Sequence, residues 1–332
     1  MSGPPRVAVA TVTHDSVAEL PGWAAAVSRL EHRPLEIVVV DCASADGSAG
    51  AARRLLGPGG LPFTVVALTE NAGFAGGMNE ALARTDAPFV LSLNPDARPE
   101  PSYAGVLLAR LLSRPRAGAA TGRLLRLEEP ERPGRLDACG MRLAWTWRHL
   151  DRGSGEEDRG QYAQAERVFG ATGAATLFRR AALDDVAVGG EVLDPRFHSF
   201  REDAELAFRL AERGWEVLYE PAARAQHRRA VLPERRGALP AAVNYHSLKN
   251  RYLLRAYHQT PRNLLLTFLP ALCRDLAALG WVLLAERSSL AAYGWLWRNR
   301  REIWRRRRLI QARRRRPAWE VDRWFFGGSL PL

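Results

Sequence analysis

The sequence predicts an α/β fold with a mainly parallel sheet and a helical C-terminal extension. Its first 100 residues alternate between short apolar runs rich in β-branched residues and segments of helical character, the pattern of βαβ units. After about Arg224 this alternation stops and only helical patterns remain. With 332 residues, 47% of them hydrophobic and 25% charged, the chain is long and apolar enough to bury a large core.

Four buried strands are predicted in the first 100 residues because their apolar runs are short and unbroken. These strands cover residues 7–12, 35–40, 63–68 and 89–93. Helices are predicted between them over residues 18–30, 49–56 and 76–83. Ligands of parallel sheets bind beyond the carboxyl ends of the strands, so the polar residues that follow these strands are expected to meet in one crevice.

The middle of the chain is less regular. Residues 128–134 and 151–160 are charged and contain proline or glycine, which predicts surface loops, the second of them mobile. A helix is predicted over residues 203–213, ended by Gly214 at its C-terminal cap. A strand is then expected over residues 216–219, stopped by Pro221.

Two further helices are predicted over residues 239–257 and 261–286. The second is apolar enough to suggest a membrane span, but Arg274 and Asp275 fall at its centre. Charges there cost about 2.5–3.5 kcal/mol each on insertion scales, which argues against a simple span.

The arginine-rich segment near the C-terminus predicts a helix that lies in a membrane interface. Leu296, Ile303 and Ile310 recur at intervals of seven residues, with tryptophans beside them and arginines on the other faces. The alternative is a basic helix that packs on its own domain through the same stripe. Both interpretations are left open by the sequence.

The net charge of +12 is almost entirely arginine, since Lys249 is the only lysine. This bias accompanies many alanines, glycines and prolines and is typical of GC-rich coding, so it does not indicate a nucleic-acid partner. The three cysteines are far apart and lack metal-binding spacing, which favours a reducing cytosol. The first residues lack the basic and apolar pattern of a secretory signal.

Three segments carry residues suited to chemistry on a phosphorylated substrate. Asp96 follows the fourth strand, where a carboxylate could bind Mg²⁺ or Mn²⁺, although Asn-Pro-Asp is also common in turns. The glycine-rich segment 71–79 opens a helix, where phosphate is favoured, although glycines also mark ordinary loops. The adjacent Glu202 and Asp203 could supply a general base, although acidic residues also favour helix N-termini.

Taken together and in order, these segments resemble family 2 glycosyltransferases, particularly the bacterial rhamnosyltransferase-like branch. The resemblance covers roughly residues 6–230. It rests on the following segments: VATVTH at 9–14, VVDCASADGS at 39–48, NAGFAGGMN at 71–79, LNPD at 93–96, GAATLFRR at 173–180 and FREDAEL at 200–206. Cys42 stands where the family usually has Asn, and Met78 replaces the first of two paired asparagines.

The resemblance implies a GT-A fold, with a Rossmann-like nucleotide-sugar-binding sheet, over residues 1–230. Its donor half would cover about 1–100 and its acceptor half about 101–230. The helical, Arg-rich region over 231–332 lies outside the resemblance, and membrane association is one of the two interpretations that its pattern leaves open. The implied activity is inverting, metal-dependent transfer of a sugar.

The resemblance also implies roles for individual residues. Asp203, with its neighbour Glu202, would be the catalytic base, and Asp96 and His227 would bind Mg²⁺ or Mn²⁺. Gly173 and Arg201 would lie on the acceptor side. The residues expected to contact the donor are Thr11, Thr13, His14, Asp41, Asn71, Gly73, Gly76, Asn79 and Asn94. A lone histidine is otherwise an ordinary surface residue, so His227 depends most on the resemblance.

The expected partners are a dTDP-, UDP- or GDP-sugar donor and a glycan or lipid-linked acceptor of the cell envelope, with rhamnose one candidate sugar. The expected location is the cytoplasmic face of the plasma membrane, and no nucleic-acid partner is expected. The alternatives are a soluble small-molecule or protein acceptor, a catalytically inactive scaffold, and nucleic-acid binding by the arginine-rich tail, for which no recognition motif is present.

Overall fold

The computed structural model describes residues 3–127, 134–229 and 240–332. Its first half contains four parallel strands in the order β3-β2-β1-β4, with helices between them. The elements are β1 (Val7–Thr13), α1 (Leu20–Ser28), β2 (Leu35–Cys42), α2 (Ser48–Leu56), β3 (Phe63–Leu68), α3 (Gly73–Ala83) and β4 (Phe89–Leu93). All four predicted strands are confirmed, and the third helix begins three residues earlier than predicted.

The second half extends the same sheet with strands of mixed direction. β11 lies antiparallel to β4 and to β6, and β12 runs parallel to β6. The elements are β5 (Ala97–Pro99), α4 (Tyr103–Leu112), β6 (Ala117–Arg126), β7 (Leu136–Ala138), β8 (Met141–Leu143), β9 (His149–Asp151), β10 (Glu166–Val168), β11 (Ala175–Arg179), α5 (Arg180–Val186), α6 (Glu202–Arg213) and β12 (Glu216–His227).

The last third of the chain is helical and ends in a short strand. The elements are α7 (Ala241–His258), α8 (Pro261–Leu284), α9 (Ala291–Arg298), α10 (Arg300–Ala312), α11 (Ala318–Asp322) and β13 (Ser329–Pro331). β13 pairs antiparallel with β10 at the edge of the sheet. Residues from α7, α10 and α11 share one buried core with Phe208 of α6, so the helices pack on the α/β part of the chain.

The prediction that the aliphatic stripe of the arginine-rich segment faces a membrane is wrong. Ile303 and Ile310 are buried in the core shared with α7, and the partly buried Leu296 packs against the same core. The alternative interpretation, packing on the chain's own domain, is correct for this stripe. A seven-residue repeat of aliphatic residues suits a protein core as well as a lipid surface, so the periodicity could not separate the two.

Two other predictions need correction. β12 does not stop at Pro221 but continues to His227, because Pro221 falls within a break in the pairing register between Glu220 and Arg224. The predicted loop 151–160 begins inside β9, and its Asp158 is held by an ion pair with Arg123 at 2.9 Å. Most of the other predicted loop, residues 128–133, lies outside the described residues.

α8 is the one helix in the described residues that is long and apolar enough to cross a membrane, judged by length and composition. Its central Asp275 forms ion pairs with Arg251 and Arg255 of α7. These ion pairs hold α8 along the surface of the protein.

Candidate active site

The side chains of Asp96 and His227 lie next to each other at one end of the sheet. β5 begins directly after Asp96 and pairs antiparallel with the end of β12, which sets Ala97 opposite His227. As a result, His227 Nε2 lies 3.2 Å from Asp96 Oδ1. This Nε2 atom is buried and makes no hydrogen bond of good geometry within the part of the chain that the structure describes. The two residues that the sequence singled out for a metal ion are therefore brought together.

A buried carboxylate fixes the orientation of the His227 ring. His227 Nδ1 lies 2.8 Å from Asp137 Oδ2, and Arg229 Nε lies 2.7 Å from the other oxygen of the same carboxylate. Burial opposes ionisation of Asp137, but His227 and Arg229 outweigh it and lower the pKa of this carboxyl. Burial likewise disfavours the imidazolium, but Asp137 and Asp96 raise the pKa of His227 to about 9. The contact with Asp137 directs Nε2 towards Asp96.

The chemistry of this pair fits a divalent cation. A carboxylate oxygen and a deprotonated imidazole nitrogen at neighbouring positions suit Mn²⁺, which would displace the proton from Nε2 of His227. Mg²⁺ accepts a carboxylate together with phosphate oxygens. A carboxylate that orients a ligating imidazole is a common supporting feature of such sites. No group of three or more His, Cys, Asp or Glu side chains able to hold a metal ion exists in the described ranges. A cation here would need further oxygen ligands, which the diphosphate of a donor could supply.

A second cluster of carboxylates begins at Arg229. This arginine also contacts Asp151, with Nη2 2.5 Å from Oδ2. Burial and the negative charge of Asp151 raise the pKa of Asp203 to about 6, against the opposing effects of a hydrogen bond from Gly173 N–H and the charge of Arg201. Asp203 Oδ1 also accepts a 2.7 Å hydrogen bond from the backbone N–H of Ala204. Asp203 is therefore a carboxylate poised to take up a proton near neutral pH.

The neighbouring Glu202 is in a different environment. Its side chain is buried, and its Oε2 has no hydrogen-bond partner among the described residues. Burial, together with the charge of Asp203, raises its pKa well above the ordinary value. The two adjacent carboxyls thus differ, with Glu202 favouring its neutral form and Asp203 the more readily ionised member.

The acceptor-side residues of the sequence prediction lie near Asp203. Gly173 precedes β11, and its carbonyl accepts a 2.7 Å hydrogen bond from Ser92 Oγ of β4. The backbone N–H of Asn94 donates to the next carbonyl, that of Ala174, at 2.8 Å. Arg201 Nη1 lies 3.2 Å from His149 Nδ1. Gly173 therefore connects the surroundings of Asp203 with the strand that leads to Asp96.

The loop before Asp203 has a strained backbone. His198, Phe200 and Arg201 have φ values of 62°, 71° and 71°, and such conformations cost non-glycine residues of order 1–3 kcal/mol each. Asn250 of α7 is fully buried, and its amide nitrogen lies 2.7–2.8 Å from the carbonyl oxygens of Phe197, Ser199 and Phe200, which share its two N–H groups. α7 therefore holds the backbone that presents Glu202 and Asp203.

We expect Asn250→Ala to lower kcat by more than about tenfold, because relaxation of the loop would move Asp203 away from its required position. A more exposed Asp203 should also have a lower pKa, which would shift the acidic limb of the kcat–pH profile downwards. The measurement is that profile in the variant and in Ser247→Ala, a control on the same helix. A lower melting temperature with an unshifted limb would contradict the positioning role.

The donor residues predicted on β1 and β2 form a hydrogen-bonded group at the strand ends. Asp41 is buried and accepts from Thr13 Oγ1 at 2.7 Å and from Ser44 Oγ at 2.5 Å. His14 Nδ1 lies 2.8 Å from the Cys42 carbonyl. Thr11 is fully buried and donates to the Leu93 carbonyl at 2.8 Å, so it joins β1 to β4 and does not face the crevice.

The glycine-rich segment lies against the strained loop. Asn71 Oδ1 accepts from Gly73 N–H at 2.9 Å, and Gly73 has a φ of +68°. A Cβ at Gly73 would stand 2.5 Å from the His198 carbonyl oxygen, so only glycine fits there. Gly76 lies half-buried in the first turns of α3. Asn79 uses its amide to bind the backbone N–H and C=O of Leu193 at 2.9 and 2.7 Å.

The residues that sequence reasoning missed are Asp137, His149, Asp151, Arg229 and Asn250. One signal was available for Asp137, since a single carboxylate within the apolar run Leu136 to Cys139 requires a buried partner. Asp151 was assigned to a loop, and nothing in its local pattern indicates the site. Its position depends on the pairing of β8 with β9.

Comparison with known proteins decides the family. The profile of the family described as glycosyl transferase family 2 matches residues 8–187, more than half of the chain. The chain belongs to this family. Its predicted membership is confirmed, and the catalytic activity of the family is sugar transfer. The matched range contains β1 to β4, Asp96 and the Asp137–Asp151 region, whereas Asp203 and His227 lie beyond it.

Curated relatives and solved structures agree with this assignment. The chain is 28% identical over 270 residues to an N-acetylglucosaminyl-diphospho-decaprenol L-rhamnosyltransferase of Mycobacterium tuberculosis, covering 72% of this chain and 81% of the relative. Two solved structures share the fold. A Pyrobaculum calidifontis mannosyltransferase with GDP-Man and Mn²⁺ has a TM-score of 0.54 and 21% identity, covering 89% of this chain and 76% of that one. GalNAc-T7 with UDP, GalNAc and Mn²⁺ has a TM-score of 0.60 and 12% identity, covering 79% and 49%. The GT-A fold is thereby confirmed.

Proposed function

We propose that this glycosyltransferase moves a sugar from a nucleoside-diphosphate donor to a hydroxyl of a lipid-linked glycan, with inversion at the anomeric carbon. The observation that carries the proposal is that two sets of side chains are connected at one end of the sheet. One set is the Asp96–His227 pair and the other is the carboxylate of Asp203. Asp96 and His227 form a cation- and diphosphate-binding pair, and Asp203 forms a base. Arg229 and the carboxylates it contacts connect the two.

In the proposed reaction, Asp203 accepts the proton of the acceptor hydroxyl while the oxygen attacks the anomeric carbon. A single in-line displacement breaks the bond to the diphosphate and inverts the configuration. A divalent cation held by Asp96 and His227 would supply charge compensation for the departing diphosphate. Asp137 keeps the His227 ring in the orientation that this contact needs, and Gly173 N–H supports the ionised form of Asp203.

The donor and acceptor are proposed from the curated relative. It acts on N-acetylglucosaminyl-diphospho-decaprenol and transfers L-rhamnose, as its name states. We therefore propose a deoxyhexose such as rhamnose as the sugar and a polyprenyl-diphosphate-linked glycan as the acceptor, at the cytoplasmic face of the plasma membrane. Residues 1–230 would bind donor and acceptor, and residues 231–332 would hold the protein at the membrane while supporting the loop before Asp203.

The raised pKa of Asp203 predicts the pH dependence of turnover. The base must be ionised to accept a proton, so kcat should be constant well above pH 6 and fall about tenfold per unit below it. With a base of ordinary aspartate pKa, kcat would stay constant to a pH about two units lower. A kcat–pH profile at saturating substrates tests this expectation. Full activity at pH 5 would show that Asp203 is not the base or that its pKa is not raised.

The donor site is tested by a thermal-shift panel of UDP-, GDP- and dTDP-sugars, with and without Mn²⁺ or Mg²⁺. A ligand that binds only the folded protein must raise its melting temperature. We expect a cation-dependent rise in melting temperature with one nucleotide. The presence of both Asp96 and Asp203 argues against the alternative of an inactive scaffold. Absence of a rise with every nucleotide would contradict the proposed donor site.

A further inference from the structure

The outward face of α8 is a continuous apolar surface. This helix has 24 residues, which corresponds to a length of about 36 Å. A narrow stripe of its residues is buried against the protein: Asn263, Thr267, Ala271 and Val282. The opposite side exposes large apolar side chains, including Leu265 at 80%, Leu269 at 66% and Leu276 at 60% exposure. The other large exposed hydrophobic residues of α8 are Leu264, Leu266, Phe268, Leu272, Leu279, Trp281, Leu283 and Leu284.

α8 is fixed to the protein along its length. Thr260 and Asn263 form a capping box at its start, and Asn263 also donates to Asp322 of α11 at 3.1 Å. Thr267 Oγ1 accepts a 2.9 Å hydrogen bond from Trp147 Nε1. Asp275 forms ion pairs with α7. A transmembrane orientation would break these contacts and move charged groups into hydrocarbon, so the structure favours a helix that lies parallel to a surface.

The charge of the C-terminal part of the chain, residues 240–332, indicates the kind of surface that this face would meet. Residues 240–332 contain 18 Lys and Arg against 5 Asp and Glu, a net charge of +13, whereas residues 1–239 contain 30 against 31, a net charge of −1. The exposed arginines of α9 and α10 are Arg298, Arg300, Arg301, Arg305 and Arg308. An apolar helix face within a strongly basic region matches an anionic lipid bilayer. A second copy of the chain would bring two such positive regions together, which is unfavourable.

The buried side of α8 is connected to the surroundings of Asp203 through one hairpin. Trp147, which binds Thr267 of α8, lies in the turn between β8 and β9. β9 ends at Asp151, whose charge acts on Asp203. The same short hairpin therefore contacts both α8 and the candidate active site.

We propose that the outward face of α8 inserts into the headgroup region of an anionic bilayer, with the helix axis in the membrane plane. This inference deepens the proposed function, since a lipid-linked acceptor would be met at that surface. It predicts binding to lipid that requires neither donor nor acceptor. Failure of membrane binding and failure of sugar transfer are therefore separate outcomes.

Sedimentation with vesicles tests the surface. The full chain should bind phosphatidylcholine vesicles that contain phosphatidylglycerol, and bind less as salt is raised. The triple variant Leu265→Gln, Leu269→Gln and Leu276→Gln should lose more than about tenfold in partitioning. The control variant carries glutamine at Leu55, Leu112 and Leu332, exposed leucines outside α8. Equal thermal shifts with donor would show that both variants retain the fold.

Cys273 tests the orientation, because it lies near the middle of α8 and is exposed, whereas Cys42 and Cys139 are buried. A fluorophore attached there should be quenched more by lipids brominated near the headgroup than by lipids brominated near the chain ends. Stronger quenching by the deep bromines would overturn the in-plane orientation. The proposed lipid-binding surface would be overturned if the α8 variant bound vesicles as well as the wild type, or if the wild type did not bind anionic vesicles. A dimer that the α8 substitutions dissociate would also overturn it, because the apolar face would then bind a second copy.

Discussion

Asp203→Asn is expected to lower kcat by about 10³-fold, the size of a lost general base. The substitution keeps the size of the side chain and its hydrogen bond from Ala204 N–H, so the fold and donor binding should persist. The result should be a loss of kcat with an unchanged donor-induced thermal shift. Single-turnover assays with donor and acceptor measure the chemical step directly.

Glu202→Gln is the matched control for this prediction. Glu202 is buried and favours its neutral form, which glutamine imitates in shape and charge. We expect this variant to keep most of its activity, so the two adjacent carboxyls should differ by orders of magnitude. A large loss of activity in Glu202→Gln, together with an active Asp203→Asn variant, would show that Glu202 and not Asp203 is the base.

Asp96→Ala is expected to abolish the cation-dependent part of donor binding. Loss of a group that only supports a metal ligand typically weakens metal affinity by about 10- to 100-fold. Removal of a proposed ligand should therefore weaken donor affinity in Mn²⁺ by more than about 100-fold. Calorimetric titration of donor with and without Mn²⁺ measures the cation-dependent and the cation-independent parts of donor affinity separately.

Two companion variants sharpen this second prediction. Asp137→Ala should give an intermediate loss of cation-dependent affinity, because His227 would remain but its ring would no longer be held at Nδ1. Asp184→Ala, at an exposed position on α5, should bind donor as the wild type does. If Asp96→Ala retained the full effect of Mn²⁺, the cation would bind elsewhere or contribute nothing to donor affinity.

The strands β1 to β4 could be predicted because each is encoded by a short stretch of neighbouring residues. The runs that form β1 to β4 are short, apolar and separated by helical patterns, and all four strands lie where predicted. The position of Asp96 after the fourth strand makes it a candidate on its own, whereas His227 is singled out only through the resemblance. Their contact results from pairing between β5 and β12, which are distant in sequence.

The parts that sequence reasoning missed depend on non-local packing. Asp137 and Asp151 become neighbours of Arg229 through the positions of three different strands, and no spacing in the sequence encodes that. The stripe of Ile303 and Ile310 has the same periodicity whether it faces lipid or a protein core. The central charges of α8 argue against a simple span, yet a helix that lies flat can turn Asp275 towards α7 and its leucines outwards.

The central claim is tested most directly by an assay of sugar transfer to polyprenyl-diphosphate-linked N-acetylglucosamine, with the donor that the thermal-shift panel selects. The proposed mechanism predicts a cation-stimulated product whose new glycosidic bond has the opposite anomeric configuration to the donor, as determined by NMR. A product with retained configuration would contradict direct displacement by an acceptor oxygen that Asp203 deprotonates. No transfer to this lipid, with active transfer to a soluble acceptor, would contradict the proposed acceptor class.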